Sequence, residues 1–287
     1  MRLVRLAVLL LIAVLAVAGC ANGARSAAPE VVVGSGPGSE SMLLAGIYVA
    51  ALRSYEFPAR AAIVADPMAA LGSGEVTVVP AFTGQVLQVL QPGSSALSDA
   101  QVYRIMNAAL PEGVVAGDYA TAAEDKPALV VTRTTANSWG GSELSLLPRH
   151  CDGLVVGSVI GGVMGALPPA GVGTCRLPAP REFSDTAAMY GALRDGQLTA
   201  AWTTTADPGT PADLAVLADG KSALIRAENV VPLYRRNALT DRQLLAINEV
   251  AGVLDTAALT EMRRQVASGA DPQAVAAAWL AEHPLGR

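Results

Sequence analysis

The residues able to do covalent or metal chemistry are few in this chain, and their spacing fits no catalytic arrangement. Of its two histidines, His150 stands between Arg149 and Cys151, and His283 precedes a proline near the C-terminus. Neither belongs to a His-Glu-x-x-His pattern or a Cys/His cluster, so metal-ligand spacing is missing. There is no Gly-x-Ser-x-Gly elbow, and no serine lies three residues before Lys126 or Lys221, the two lysines; the usual activated serines are therefore absent. The Gly34–Gly38 loop has neither the Lys-Ser/Thr of a phosphate-binding loop nor the dinucleotide spacing. With 20 basic residues against 25 acidic ones and no Lys/Arg-rich run, a nucleic-acid groove is excluded. No cofactor or metal is called for. What is left is non-covalent recognition by backbone N–H groups, hydroxyls, rings and carboxylates, unless a hydrolase built on an unrecognised carboxylate pair is hidden in the chain.

The start of the chain is an address. Arg2 and Arg5 precede the apolar run Leu6–Ala18, too short for the roughly 20 residues of a membrane span but right for an export signal. Its end, Val17-Ala18-Gly19-Cys20, resembles the lipobox of bacterial lipoproteins. That resemblance implies removal of residues 1–19, lipidation of Cys20 and attachment to the extracytoplasmic face of the cell membrane, with residues 20–29 as a tether. Without Arg2 and Arg5 the charge moves from −5 to −7. In an oxidising compartment the two remaining cysteines, Cys151 and Cys175, are candidates for a structural disulfide or are two buried thiols.

The elements that must position any site read as alternating strands and helices. Glu30–Gly34 predicts a buried strand, followed by a helix over 40–55 that Ser39 would cap. Asp66-Pro67 opens another helix, and Ser98 with Gln101 and Thr240 with Gln243 have capping-box spacing. Leu129–Thr132 and Leu154–Val156 read as short buried strands, giving an α/β chain with largely parallel sheets. Gly157–Gly165 lies at a strand-to-helix junction, read as close backbone packing or a helix entry. Asp255–Ala267 and a last helix from Asp271-Pro272, with Trp279 inward, close the chain. An internal echo carries more information: Met68–Thr83 aligns with Tyr190–Thr205, 122 residues later. Both segments read as a helix end, a glycine cap, a turn and a buried strand. Two similar α/β lobes are expected, each turning a strand's carboxyl end, where ligands of open sheets bind, toward a shared cleft.

With these elements in place, the chain resembles the substrate-binding lipoproteins of ABC importers for glycine betaine, choline, carnitine and related osmoprotectants. The resemblance rests on Val33-Gly34-Ser35 with Glu40-Ser41, Gly74-Glu75-Val76, Pro80-Ala81-Phe82-Thr83-Gly84 and Ala128–Thr132. It continues through Ala192–Gly196, Trp202-Thr203-Thr204 with Asp207, Asn229–Pro232 and Asp271–Ala276 with Trp279-Leu280. It implies a two-lobed periplasmic-binding-protein-like fold (type II) with the ligand cleft between the lobes. Lobe 1 would comprise 28–126 plus 227–287, and lobe 2 residues 127–226. It also implies a permease and an ATPase as partners, and a quaternary ammonium held in an aromatic cage, which cation–π attraction favours. Matched position by position, the cage is altered: Phe82 and Trp202 stand at two ring positions, Pro127 and Glu228 at the others, and Gly36 where a basic residue meets a ligand carboxylate. The resemblance therefore points to a small polar or cationic solute. Backbone N–H groups around Ser35, Gly36 and Ser39 would meet it, Phe82 and Trp202 would sandwich it, and Thr83, Thr204, Glu228 and Asn229 would supply polar contacts. Glu228 would attract the cation unless it is a solvated hinge residue. A non-transport envelope lipoprotein on the same fold, binding an envelope component or a partner protein, is the alternative.

Overall fold

Two five-stranded sheets organise the described residues, 30–161, 168–220 and 223–286 of the computed structural model. The leader, Cys20, the tether, Lys221 and residues 162–165 of the glycine-rich stretch lie outside them. In the first sheet β1 (Val31–Ser35) leads through α1 (Ser39–Ser54) to β2 (Ala59–Ile63), and through α2 (Pro67–Ser73) to β3 (Val78–Phe82). Helices α3 (Thr83–Leu90) and α4 (Asp99–Ala109) follow, then β4 (Val114–Ala116). The chain then leaves for the second sheet: β5 (Pro127–Thr132), α5 (Arg133–Trp139), a 3₁₀ turn at Leu144–His150 and β6 (Val156–Val159). A small ribbon, β7 (Gly171–Val172) with β8 (Cys175–Arg176), precedes β9 (Arg181–Phe183), α6 (Thr186–Arg194), β10 (Ala200–Thr204) and β11 (Leu214–Val216). It returns as β12 (Val230–Arg235) and ends in α7 (Asp241–Asn248), α8 (Val250–Val253), α9 (Thr256–Ala267) and α10 (Pro272–Glu282).

The sheet orders are β2-β1-β3-β12-β4 and β9-β6-β10-β5-β11. In each, the first three strands run parallel and the last two pairings are antiparallel. The sheets are thus mixed rather than largely parallel. The reason lies in the crossovers: β12 begins at Val230 beside Phe82, and β5 begins at Pro127 beside Thr204. Each returning strand enters its sheet at the carboxyl end of the central strand and has no direction open to it but the reverse. The echo in the sequence is this shared plan. It sets α2–β3 against α6–β10, with a left-handed glycine after each helix, Gly74 at φ 84° and Gly196 at φ 73°, a conformation that costs a Cβ-bearing residue energy.

Local signals account for most element ends. Asp66, Asp185, Asp255 and Asp271 each accept a backbone N–H at their helix N-termini, and Thr240–Gln243 is a complete capping box. Two expectations fail. Gly38, not Ser39, holds the cap position of α1 and offers no side chain, and Ser98 makes no cap bond, Asp99 taking the Ala100 N–H instead. The predicted strand at Leu154 starts two residues later, at Val156. Gly157 does serve close packing, since a Cβ there would lie 2.5 Å from Leu198 Cδ1. The first sheet buries α1, α9 and α10, including Trp279, on one face and α2 to α4 on the other. The second sheet packs Trp202 with Leu129, Leu147 and Val156 on one face and α6 on the other. Cys151 and Cys175 are bridged, their Cα atoms 5.6 Å apart, and tie the 3₁₀ turn to the β7–β8 ribbon.

Candidate functional site

The carboxyl ends of β1, β3 and β10 are where the expected site residues fall. Ser35 closes β1; its carbonyl accepts Val64 N–H, while its buried hydroxyl has no partner among the described residues. Thr204 closes β10 opposite Pro127, and its buried hydroxyl is likewise unpartnered. Gly36 donates its N–H to Ser41 Oγ at 2.9 Å, so this N–H is already used within the loop. Ser39 begins α1 on the exposed side.

Thr83, Glu228 and Asn229 form one fastening. Thr83 opens α3; its N–H donates to the Asn229 carbonyl at 3.0 Å and its hydroxyl accepts Asn229 N–H at 3.1 Å. The Asn229 amide donates to Ala120 O at 3.0 Å, drawing in the loop before the first crossover. The Glu228 carboxylate accepts Gln85 N–H at 2.8 Å, so it caps the α3 N-terminus that the short Phe82-Thr83 junction leaves bare. Gly84 makes room for it: a Cβ there would stand 2.5 Å from both Ala227 O and Glu228 Oε1. Glu228 is 8% exposed, so it is not a solvated hinge residue. Burial pushes its pKa up to about 8, against the Gln85 and Gly84 N–H groups and the Arg226 charge, which pull it down.

Phe82 and Trp202 are placed apart. Phe82 lines a pocket of about 530 Å³ whose walls come from α1, α2, β3, α3 and Pro111, none from the second sheet. Trp202 is 3% exposed and belongs to the second sheet's core. Alternation along β10 explains this: Trp202 points to the Leu129 face, while Thr203 on the other face joins Asp207, Thr210 and the Tyr190 hydroxyl. At the edge of a strand the period of two sends neighbouring side chains to opposite faces, which a positional match to a ring does not register.

Charges gather where the chain crosses between sheets. Asp125 is fully buried; it accepts the Ala206 N–H at 2.9 Å and pairs with Arg263 of α9, which also lies 3.1 Å from Glu40. Lys126 pairs with Glu124 and Asp219, each at 3.3 Å, and Asp219 in turn accepts N–H groups of Leu224 and Ile225 on the returning segment. Glu124 and Asn229 bridge the two crossovers. A smaller cavity beside this cluster is lined by Ser39, Glu40 and Leu43, by Arg263, Val266 and Ala267, and by Asp207 and Pro208 from the loop after β10. Burial pushes the Glu40 pKa up to about 7, opposed by Arg263 and reinforced by Asp125.

The family described as the substrate binding domain of ABC-type glycine betaine transport systems matches residues 29–174 and 175–282. The chain belongs to this family. Among solved structures, Apo YehZ from Escherichia coli shares 20% identity at a TM-score of 0.69, over 90% of this chain and 99% of that one. A glycine betaine/carnitine/choline ABC transporter structure shares 17% identity at 0.71, over 89% and 98%. An ABC-transporter choline binding protein in complex with choline shares 15% at 0.55, over 89% of each. At such identities the likeness is one of fold, the two-lobed fold of periplasmic binding proteins. No curated protein matches the chain. The sequence alone places Glu40 only among the residues of the family resemblance and assigns no role to Asp125 or Arg263. Glu40 is the first-turn acid of α1, a position the helix dipole favours by itself, and no motif surrounds Asp125 or Arg263.

Proposed function

We propose that the chain is the lipid-anchored, extracytoplasmic solute-binding component of an ABC importer, capturing a small polar or cationic solute between two lobes. Lobe 1 comprises about 28–126 plus 227–287, lobe 2 residues 127–226, and the paired crossovers form the hinge. The observation that carries this reading is the register at the crossovers: Pro127 against Thr204 and Val230 against Phe82. Both sheets thereby bring their carboxyl ends beside the hinge, the position at which open α/β sheets bind ligands. The unpartnered hydroxyls of Ser35 and Thr204 fit ligand contacts there, with Phe82 as the ring of the first lobe and Thr83, Glu228 and Asn229 as the frame behind it. Among the described residues no helix is long and apolar enough to cross a membrane. Closure follows ligand binding only where the ligand favours the closed state. The permease and ATPase would then receive the closed, loaded form.

The test is thermal unfolding of the purified protein with betaines, choline, carnitine, polyamines, polyols and amino acids. A ligand at 100 times its Kd stabilises by about 2.7 kcal/mol, a readable shift. Silence across the panel would refute the importer assignment.

A further inference from the structure

The pocket that Phe82 lines has a chemistry of its own. Its volume, about 530 Å³, lies in the range of small-molecule sites, roughly 300–1,000 Å³. Leu44, Val79, Phe82, Val86 and Leu90 make most of its walls apolar, and the ionisable residues lining it, Glu40 and Asp66, are both acids. A ligand carboxylate finds no counter-charge in it. Asp66 is used as the α2 cap, accepting Ala69 N–H at 3.0 Å. Glu40 is different. It shares the single guanidinium of Arg263 with Asp125, so two carboxyl groups face one cation and, once Glu40 is ionised, one negative charge is left over. Asp125 is fully buried and also holds Ala206 N–H, which leaves Glu40 as the member that reaches the pocket. Its Oε1 lies 3.1 Å from Arg263 Nη1 without making a hydrogen bond. On its far side stands a further acid, Asp207, and among the described residues Arg263 is the one cation paired with Glu40. The raised pKa of Glu40, about 7, is the expected consequence of burying a carboxylate with half a partner.

We propose that this pocket takes an amphipathic amine, its ammonium head at Glu40 and its alkyl or aryl tail along the groove between α2 and α3. This rests on the solute-binding reading above, taking the pocket as the first lobe's half of the proposed cleft, and names the substrate class: a cation without a carboxylate, larger and more apolar than a trimethylammonium acid. The head completes the charge balance of the Glu40–Arg263–Asp125 cluster, and the tail covers Val86, Leu90 and the 76% exposed Val89.

The experiment is calorimetric titration of the purified protein with n-alkyltrimethylammonium ions from ethyl to octyl, beside choline, glycine betaine and neutral hexanol. Affinity is expected to rise about fourfold per methylene, the equivalent of about 0.8 kcal/mol. Glu40→Gln should weaken every ammonium tenfold or more and leave hexanol unchanged. The rim variants Met68→Ser and Val89→Ser, at half-buried and exposed positions, should flatten the chain-length slope. A flat series alongside good choline or betaine binding overturns the amphipathic proposal and leaves the importer reading standing. A slope indifferent to both rim variants places the tail elsewhere, ammonium affinities unchanged in Glu40→Gln place the head elsewhere, and either result also overturns it. Binding of no compound overturns both readings.

Discussion

Glu228→Gln separates a helix-capping carboxylate from a ligand-attracting one. In the folded protein Glu228 is 8% exposed with a pKa of about 8, against 4.5 for the unconstrained group. Between those two values the folded state keeps a proton that the unfolded state releases, so stability falls as pH rises from about 4.5 toward 8 and levels off above it. A tenfold change in a protonation equilibrium is worth about 1.36 kcal/mol. The rise from 4.5 to about 8 therefore sets a ceiling of about 5 kcal/mol for the penalty fully present above pH 8. Glutamine keeps an oxygen for the Gln85 N–H and has no proton to lose. Its stability should match the wild type near pH 4.5 and exceed it by a few kcal/mol at about pH 8.5. Urea unfolding followed by tryptophan fluorescence at several pH values gives the two curves. Their difference removes most other titrating groups, leaving the coupling to Asp125 and Arg226 as the residual. Curves that run parallel would mean that the α3 N-terminus cancels the burial cost and that the carboxyl of Glu228 titrates as it would in water. Ligand affinity should change little in the same variant, because the carboxylate is turned into the helix.

Two further outcomes follow from the packing. Replacing Cys151 and Cys175 together by serine opens a link across 24 residues and should lower unfolding free energy by about 3 kcal/mol, with ligand affinity retained; loss of binding at unchanged stability would contradict a purely structural bridge. Trp202→Ala should cost about 3–5 kcal/mol in denaturant unfolding; a variant of normal stability that no longer binds any solute would return that ring to the cleft.

How far the residues themselves disclosed the molecule can be judged element by element. Asp66-Pro67, Asp271-Pro272 and the Thr240–Gln243 box announced helices whose caps form as written, because a cap is a local bond between neighbours three residues apart. The Met68–Thr83 and Tyr190–Thr205 echo announced two like units for a similar reason: the helix, the left-handed glycine and the strand are all short-range features. The strand directions were not visible. Whether β5 and β12 run with or against β10 and β3 depends on where a distant segment re-enters its sheet. The site was legible as a set of positions rather than as a set of roles. Thr83, Glu228 and Asn229 were singled out, and they do converge, but as a fastening around the α3 N-terminus.

The sequence by itself determined the family, the alternating elements, the internal duplication and the poverty of chemical side chains, all of which are properties of composition and of neighbours along the chain. Tertiary structure alone decided which carboxylate is satisfied and which is left over. Glu40, Asp125 and Arg263 lie up to 223 residues apart, and their charges balance only through distances that folding sets. Glu228 and Glu40 are the same residue type, and burial raises the pKa of both. One is met by backbone N–H groups and the other by half a guanidinium, and that difference in partners, set by three-dimensional proximity, gives the two acids different work.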